Sequence, residues 1–540
     1  MEWIGKCCST RRSTAALVAA HQMEHYKACS SSCGVRVAES LDAAAAAAAA
    51  TSNRNCVQQQ QQPSRLSCNV QQGAGGVDLL LHEHQDVQLG PGGDPEAAAG
   101  GTTGTPGSST TGKSVRPLPV SRDTVHRVGQ DSWWEVGFHF IAALDNAFIL
   151  GYPALIMAYL GWATGTICLI GGGVVSFYNN CLLGSLHETG GKRHIRYRDL
   201  AGHIYGRGMY RATWFVQYFN LSIANIGTII LAGQALKAIF GAFSDNTSVK
   251  LAGWIVIAGV CFGLFAFVVP TLHALRFFSS CSLFLSLIYT CIAIGVSFSD
   301  GLKSPPRDYS LKGTRADRTF NAIGALATIA FAYNTGILPE MQATIRQPTT
   351  TNIYKALGMQ FTLGTFPFLL LTFVGYWAYG NGASIYLLSS LGGPKSLVTI
   401  ANAAAFLQAI VSLHVYATPM YEFMDTHFAR KDRSEWSVHS MLVRFITRGT
   451  YITISTFLGA LLPFFGDFIA LTGAMAAFPL ESGIIHHMYL KVKGKGFSKW
   501  RLIWHWFIVV ISAILTVVTC VAAVRYIISD STNYHAFANL

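Results

Sequence analysis

Eleven long apolar segments constrain what this chain can fold into more than any other feature of its sequence. Each provides about 20 largely apolar residues, the length of α-helix that crosses the roughly 30 Å hydrocarbon layer of a bilayer. The segments lie at residues 137–160, 163–186, 211–239, 251–270, 275–297, 319–339, 354–380, 396–424, 441–464, 467–489 and 501–526. Only 12% of the 540 residues are charged, against about a quarter in soluble proteins. The sequence therefore predicts an all-α integral membrane protein in a lipid bilayer and excludes a soluble enzyme.

The first 130 residues have a different composition from the rest of the chain. They contain an alanine run at 43–50, a glutamine run at 58–62 and a Gly/Ser/Thr/Pro-rich stretch at 90–112. Such a segment buries too little apolar surface to offset its ordering entropy, so residues 1–130 are predicted to be a disordered cytosolic tail. A transit peptide and an incorrectly extended reading frame are alternatives for this tail. Residues 131–540 form the predicted membrane domain.

The cations between the apolar segments predict an orientation. With the N-terminus in the cytosol, cytosolic loops hold 18 Lys and Arg residues and outside loops hold eight. Short cytosolic loops are enriched in these residues, so the N-terminus is predicted to be cytosolic and the C-terminus extracellular. The formal net charge of +12 is spread between membrane segments, which argues against a nucleic-acid partner. The sequence leaves open whether the membrane is the plasma membrane or an internal one.

Two of the eleven segments are interrupted by polar and helix-breaking residues. The first has an aspartate, an asparagine, a glycine and a proline between residues 145 and 153, and the sixth has Asn, Thr, Gly and Pro between residues 334 and 339. Backbone groups freed inside a membrane are costly unless they are buried in protein or line a cavity, so paired interruptions predict a binding site. Their spacing of five helices fits a five-plus-five inverted repeat with one additional helix. Simple helix kinks are the alternative.

Several short motifs in the membrane domain resemble one transporter family. They are Tyr197–Gly202, Asn334–Thr344, Gly375–Gly380, Tyr421–Thr426, Leu461–Phe468 and Asp530–Ala538. Together they resemble the amino acid/auxin permease family, and within it the plant proline transporter group, from about Asp123 to the C-terminus. The resemblance implies a LeuT-like fold and proton-driven uptake of proline, with 4-aminobutyrate and glycine betaine as further substrates. Asp145, Pro153 and Glu481 depart from the pattern of that group, which leaves the substrate range open.

The predicted substrate site combines both interrupted segments with one histidine of the eighth segment. It consists of Asn146, Phe148, Leu150, Gly151, Tyr152, Phe331, Tyr333, Asn334, Thr335, Gly336 and His414. Backbone N–H groups freed around residues 150–152 are expected to hold a substrate carboxylate. The aromatic faces and the freed carbonyls of the sixth segment are expected to receive the cationic or quaternary nitrogen. Packing without contact to a ligand is the alternative for each aromatic residue and for His414.

Three carboxylates are candidates for carrying a coupling proton. Asp145 lies at mid-depth in the first segment, Glu340 at the predicted inner mouth of the sixth, and Glu481 deep in the tenth. Ionisable groups inside a membrane are functional candidates by default. Glu340 is also expected to pair with Arg346. The proton is then the only coupling ion, with no cofactor and no metal.

Other function classes have weaker support in the sequence. The adjacent pair His486-His487, expected with His505 in a Trp/Lys-rich belt near the inner surface, does not form the multi-box histidine pattern of a membrane-bound oxidase or desaturase. Residues 107–114 match the letters of a phosphate-binding loop, but no strand precedes them and prolines follow. An amino-acid sensor that signals through the tail, or a permease of the same fold with a different amino-acid substrate, remains an alternative.

Overall fold

The computed structural model describes residues 129–244, 249–269, 272–303, 306–311, 313–334, 336, 338–428 and 437–532. The predicted disordered tail, apart from its last two residues, lies outside the described residues. The same holds for the phosphate-loop-like segment at 107–114 and for Thr335.

The described part of the chain is built from α-helices, shorter 3₁₀ or π-helical turns, and one isolated parallel bridge between Asp131 and Ile345. The α-helices are α1 (Trp133–Leu144), α2 (Ala158–Leu186), α3 (Tyr197–Tyr205), α4 (Arg207–Phe243), α5 (Leu251–Val268), α6 (Leu272–Lys303), α7 (Arg315–Ala332), α8 (Leu338–Thr344), α9 (Thr349–Met359), α10 (Thr365–Tyr379), α11 (Lys395–Phe428), α12 (Val438–Leu461), α13 (Phe465–Thr472), α14 (Ile485–Lys493) and α15 (Lys499–Thr532). The 3₁₀ turns are Ala147–Gly151, Thr189–Gly191, Gly380–Gly382, Leu387–Ser389 and Gly494–Gly496, and the π-helical segments are Pro153–Met157, Gln360–Gly364 and Gly473–Ile484. The predicted all-α fold is confirmed.

Eight helical stretches within the described residues are long and apolar enough to cross a membrane. They are Pro153–Leu186, Arg207–Phe243, Leu251–Val268, Phe278–Lys303, Thr349–Gly382, Lys395–Asp425, Phe465–Gly496 and Lys499–Ser529. Gly161 divides the first of them, because its φ of 71° and ψ of 179° are not helical. The 24-residue helix α12 and the two interrupted helices occupy the positions of the other predicted spans. This arrangement is compatible with eleven spans, and that number stays a prediction.

Two apolar clusters contain residues of both interrupted helices. One contains Phe148 and Tyr333, which lie after the break in the first helix and just after α7. The other contains Phe140 and Leu338, from α1 and α8. Each cluster therefore joins the first interrupted helix to the second.

A buried arginine joins three of the surrounding helices. Arg448 of α12 is only 3% exposed. Its guanidinium donates to the carbonyls of Ala266 and Val269 at the end of α5, both at 3.0 Å, and lies 2.8 Å from a carboxylate oxygen of Asp425 on α11. The last carbonyls of a helix have no partner within that helix. Arg448 therefore completes the hydrogen bonding of α5 while its own charge is paired.

Gly473 is the first residue of the π-helical segment Gly473–Ile484, which approaches α7 closely at this point. A Cβ added there would lie 1.9 Å from the carbonyl oxygen of Ala327. We expect Gly473→Ala to destabilise the protein by about 1–3 kcal/mol, because the backbones must separate. Thermal unfolding in detergent measures the effect. Gly263→Ala is the control, since a Cβ at Gly263 meets nothing within 4 Å; equal midpoints for the two variants would contradict this close approach.

Candidate functional site

The first break separates α1 from the 3₁₀ turn Ala147–Gly151 and is held by Asn146. The side-chain carbonyl of Asn146 accepts from the N–H of Phe148 at 2.9 Å, and its amide donates to the carbonyl of Ala143 at 2.7 Å. The hydroxyl of Tyr416, on α11, donates to the same Ala143 carbonyl at 2.8 Å and accepts from Asn146 at 3.2 Å. The side-chain amide of Asn146 therefore hydrogen-bonds backbone groups on both sides of the break.

Asp145 lies at the centre of this break and is 1% exposed. Within the described residues, neither of its carboxylate oxygens has a hydrogen-bond partner. Its backbone is fully engaged, because its N–H donates to Ile141 at 2.8 Å and its carbonyl accepts from the Tyr289 hydroxyl at 3.0 Å. An ionised carboxylate in such surroundings is very costly. A proton or a cationic ligand at Asp145 removes that cost.

The second break, between α7 and α8, uses the same local device. The side-chain carbonyl of Asn334 accepts from the N–H of Gly336 at 2.7 Å, which repeats the spacing of two residues seen at Asn146. Asparagine side chains commonly hydrogen-bond the backbone two residues further on. Thr335, between them, lies outside the described residues. Both breaks are therefore shaped by an asparagine that folds back onto its own chain.

Two carbonyls freed at the second break are occupied by protein side chains. The Tyr333 carbonyl accepts from the Ser176 hydroxyl of α2 at 3.0 Å, and the Gly336 carbonyl accepts from the Gln217 amide of α4 at 3.0 Å. The sequence predicted that freed carbonyls of this segment receive the substrate nitrogen. These two already have a protein donor, since lipid cannot supply one.

Gln217 also connects the second break to Glu340. Its amide donates to a carboxylate oxygen of Glu340 at 3.1 Å, and both residues are buried. The expected partner, Arg346, is exposed and donates through Nε to the Gln130 carbonyl at 2.7 Å. Sequence reasoning missed Gln217, although a polar residue within an apolar span was the available signal.

Aromatic rings bring the two breaks together. Phe148 contacts Phe331 edge to face, with ring centroids 5.0 Å apart, and stacks on Phe465 of α13 at 5.5 Å. Two of these rings, Phe148 and Phe331, were predicted site residues, whereas Phe465 was not. On the other side, Tyr152 and Tyr333 both place an edge-to-face contact on Phe368 of α10. The predicted aromatic residues therefore form two groups of contacting rings, and each group has members from both segments.

The turn after the first break is tightly packed. Leu150 is fully buried, and a Cβ on Gly151 would lie 3.2 Å from the carbonyl oxygen of Ile385, from Leu155 and from Phe465. The N–H of Tyr152 donates to the Ile149 carbonyl, so this predicted carboxylate donor already has an acceptor. Carboxylate binding by the N–H groups of Leu150 and Gly151 stays a prediction.

His414 lies on α11 and contacts one aromatic residue of α5 and one of α11 itself. It is buried, and its ring contacts Phe265 of α5 at 4.9 Å and Tyr421 at 5.4 Å. Neither ring nitrogen has a hydrogen-bond partner within the described residues. These ring contacts place His414 beside α5, whereas its helix neighbour Tyr416 contacts the first break.

Glu481 is half-buried in the π-helical segment Gly473–Ile484. Its chain neighbours are anchored to other elements: the Leu480 carbonyl accepts from the Tyr197 hydroxyl of α3 at 2.6 Å, and the Ser482 hydroxyl accepts from the Asn179 amide of α2 at 2.8 Å. The structure thus positions Glu481 where α3 and α2 meet the tenth predicted span.

Two of the three histidines in the predicted belt near the inner surface contact each other. His486 and His505 are both buried in the protein. Nε2 of His486 lies 2.9 Å from the Asn179 side-chain oxygen, and its Nδ1 lies 2.9 Å from Nδ1 of His505. Their position near the inner surface of the membrane stays a prediction. No group of three residues suited to holding a metal occurs within the described part of the chain.

A buried arginine fastens the loop after α2 to the end of α8. Arg193 donates to the carbonyls of Gln342 at 3.0 Å and Ile345 at 2.7 Å. Its Nε donates to Nε2 of His187 at 3.4 Å. Burial, with the nearby Arg193 and His194, lowers the pKa of His187 from 6.5 to about 3. The histidine is therefore held neutral as an acceptor for Arg193.

The sequence of this chain is similar to those of known proteins. A family model described as transmembrane amino acid transporter protein matches residues 129–528. The Arabidopsis thaliana protein "GABA transporter 1" is 31% identical over 429 residues, which cover 76% of this chain and 93% of the relative. "Amino acid permease 2" from the same organism is 26% identical over 410 residues, covering 69% and 82%.

Solved structures with partial similarity to this chain include the following two. A manganese transporter of Eremococcus coleocola aligns with a TM-score of 0.48 at 11% identity, covering 77% of this chain and 93% of that one. MhsT in complex with L-phenylalanine aligns with a TM-score of 0.44 at 14% identity, covering 74% and 100%.

The neutral state of His187 makes stability depend on pH. Because its pKa is about 3 in the folded protein against 6.5 ordinarily, the unfolded chain binds more protons below pH 6.5. This stabilisation is complete above 6.5 and is lost as the pH falls toward 3, by about 1.4 kcal/mol per pH unit. We expect His187→Gln, which keeps an acceptor but does not titrate, to reduce the fall in unfolding midpoint on acidification. The exposed His427 provides the control His427→Gln; the same reduction in that variant would contradict the assignment.

Proposed function

Because the chain belongs to the transmembrane amino acid transporter family, we propose that it is a proton-coupled secondary active transporter that imports small zwitterionic amino acids. It is a multi-pass membrane transporter and not an enzyme. 4-Aminobutyrate, proline and glycine betaine are the proposed substrates. The similarity to a protein named GABA transporter 1 supports the first, and the motifs shared with plant proline transporters support the others. The proposal includes a plasma-membrane location with a cytosolic N-terminus.

The observation that carries the proposal is the buried carboxyl of Asp145 at the first break, whose oxygens have no partner within the described residues. In an enclosed site this group is stable when it carries a proton. When Asp145 takes a proton from the outside, its side chain is neutral while the transporter passes through the closed state. Opening to the higher pH of the cytosol then releases the proton. The closed state therefore requires a proton on the Asp145 carboxyl.

Three aromatic rings and the helical segment after the 3₁₀ turn suit opposite ends of a zwitterion. The faces of Phe148, Phe331 and Phe465 lie at the breaks, and aromatic faces attract ammonium and methylated nitrogen alike. Leu150 and Gly151 end the 3₁₀ turn and precede the helical segment that begins at Pro153, and the N-terminal end of a helix favours a carboxylate. In this arrangement a neutral Asp145 leaves the charges of the substrate to be met by the ring faces and by the N–H groups of Leu150 and Gly151.

Each break is also tied to an uninterrupted helix through one polar side chain. Tyr416 connects the first break to α11, and Gln217 connects the second break to α4. Gln217 donates at the same time to Glu340, on the predicted inner side. Movement of α8 away from α4 must break both hydrogen bonds of Gln217. We therefore assign Gln217 and Glu340 to the inner gate.

Uptake of labelled 4-aminobutyrate, proline and glycine betaine into transporter-deficient cells tests the function. We expect uptake to rise when the external pH falls and to collapse with a protonophore. Asp145→Asn cannot exchange the proton, so its accumulation should fall roughly tenfold or more and lose its dependence on pH. Surface biotinylation confirms equal amounts of protein in the membrane.

Glu481→Gln is the matched comparison, because it neutralises another of the three candidate carboxylates. Loss of pH dependence in Glu481→Gln but not in Asp145→Asn would move the coupling site to Glu481. Saturable binding of substrate without net uptake by the unchanged protein would overturn the transporter proposal in favour of a sensor.

Replacing Gln217 tests the inner gate. Gln217→Leu removes one donor from the Gly336 carbonyl and from Glu340, at about 1–3 kcal/mol for each buried group left unsatisfied. We expect a transport rate at least several-fold lower at normal surface level. Gln234→Leu, on the same helix, is the control, since the side-chain oxygen of Gln234 has no partner within the described residues. Equal rates in the two variants would contradict a role for Gln217.

A further inference from the structure

An open pocket of about 170 Å³ lies on the predicted outer side of the first interrupted helix. It is lined by Ala154, Ala158, Tyr159, Leu311, Arg318, Asn321, Asn381, Ala383 and Ile385. Small apolar side chains form one part of this lining, and an arginine with two asparagines forms another. Sites for small molecules typically combine apolar walls with a few converging polar groups.

Arg318 gives this pocket a positive charge, and none of the lining residues is a carboxylate. The adjacent acid, Asp317, is engaged elsewhere. One of its oxygens lies 2.6 Å from Arg525, and the other accepts from the hydroxyl of Thr314 at 2.7 Å in the cap of α7. Nε of Arg318 donates to the Gly313 carbonyl at 3.1 Å. This hydrogen bond holds one edge of the Arg318 guanidinium at the cap of α7. Because Asp317 is engaged by Arg525 and Thr314, it does not neutralise the charge of Arg318.

The pocket and the end of the 3₁₀ turn Ala147–Gly151 share a wall at Ile385. Ile385 lines the pocket, and its backbone carbonyl lies 3.2 Å from the position of a Cβ on Gly151. Ala154, another lining residue, follows Gly151 by three positions in the same segment. A molecule in the pocket is therefore separated from Gly151 by a single layer of chain.

The segment that carries Ile385 is anchored on both sides. The hydroxyl of the next residue, Tyr386, donates to Asn402 of α11 at 2.7 Å. Upstream, the N–H of Asn381 donates to the Asp308 carbonyl at 3.0 Å. The wall between the pocket and Gly151 is thus anchored to α11 on one side and to the Asp308 carbonyl on the other.

We propose that this pocket binds the carboxylate of the amino acid before it reaches the first break, with Arg318 as the carboxylate ligand. The inference rests on the proposed transport function and adds a second binding site to it. Arginine pairs with a carboxylate through two parallel hydrogen bonds. The alanines and Leu311 face the hydrocarbon part of the substrate, and displacement of Ile385 admits it to Gly151 and the aromatic rings.

Initial rates of uptake over a range of substrate concentrations test the pocket. We expect Arg318→Gln to raise KM about tenfold, equivalent to about 1.4 kcal/mol, within the range of one charge-assisted hydrogen bond. The rate at saturating substrate should stay unchanged, because the site at the breaks is intact. Arg318→Lys should recover part of the loss. Arg315→Gln removes an equally exposed cation of the same helix that does not line the pocket, and it should leave KM unaltered.

A second variant and an analogue separate carboxylate recognition from other effects. Ala158→Leu narrows the pocket without changing its charge and should also raise KM. Competition by prolinamide, which lacks the carboxylate, should be equal in wild type and Arg318→Gln, whereas competition by proline should weaken in the variant. Acetate should compete only weakly, since a free carboxylate lacks the hydrocarbon contacts.

Two outcomes distinguish failure of the pocket from failure of the function. Normal uptake by the unchanged protein, with wild-type KM in both Arg318→Gln and Ala158→Leu, overturns the pocket alone. Absence of uptake of any tested amino acid by the unchanged protein overturns the proposed function and the pocket with it. An equal rise of KM in Arg315→Gln also overturns the assignment to Arg318, since it indicates a general effect of surface charge.

Discussion

Every backbone N–H and C=O group at membrane depth must find a partner inside the protein, because lipid offers none. The two breaks are where this constraint is strictest, and the structure meets it in two ways. Asn146 and Asn334 each turn back on their own chain. Tyr416, Gln217 and Ser176 then reach across from neighbouring helices. The backbone N–H and C=O groups that these side chains leave unoccupied are the ones that a ligand can bind at the breaks.

The buried carboxyl of Asp145 stands apart from this pattern of satisfaction. Surrounding side chains hydrogen-bond backbone groups at both breaks, yet no described residue hydrogen-bonds either oxygen of this group. The side-chain amide oxygens of Gln342 and Gln408 also have no partner within the described residues, but the energetic penalty for a buried charge is larger than for an amide. The contrast supports a role in which the partner comes and goes, as a transported proton does.

The sequence predicted the parts of this architecture that depend on local signals. Long apolar runs predict helices in a membrane, and Gly, Pro and Asn together mark where two of them break. Contacts between distant residues left no such signal: Tyr416 lies 270 positions from Asn146, and Gln217 lies 119 from Gly336. For the same reason the sequence did not reveal the contact between His486 and His505, or the side chains that donate to two carbonyls of the second break. The sequence identified candidate functional residues, but it did not identify the residues that they contact.

The glycine link between the first two predicted spans has a mechanical consequence. Gly161 interrupts α2 with non-helical dihedral angles, so residues 162–186 form a separate helical segment that is joined to the first interrupted helix at this glycine. In that segment, the Ser176 hydroxyl donates to the Tyr333 carbonyl. Residues 162–186 are therefore joined covalently to the first interrupted helix and by a hydrogen bond to the second, so a displacement of either one must be accommodated by the other or at Gly161.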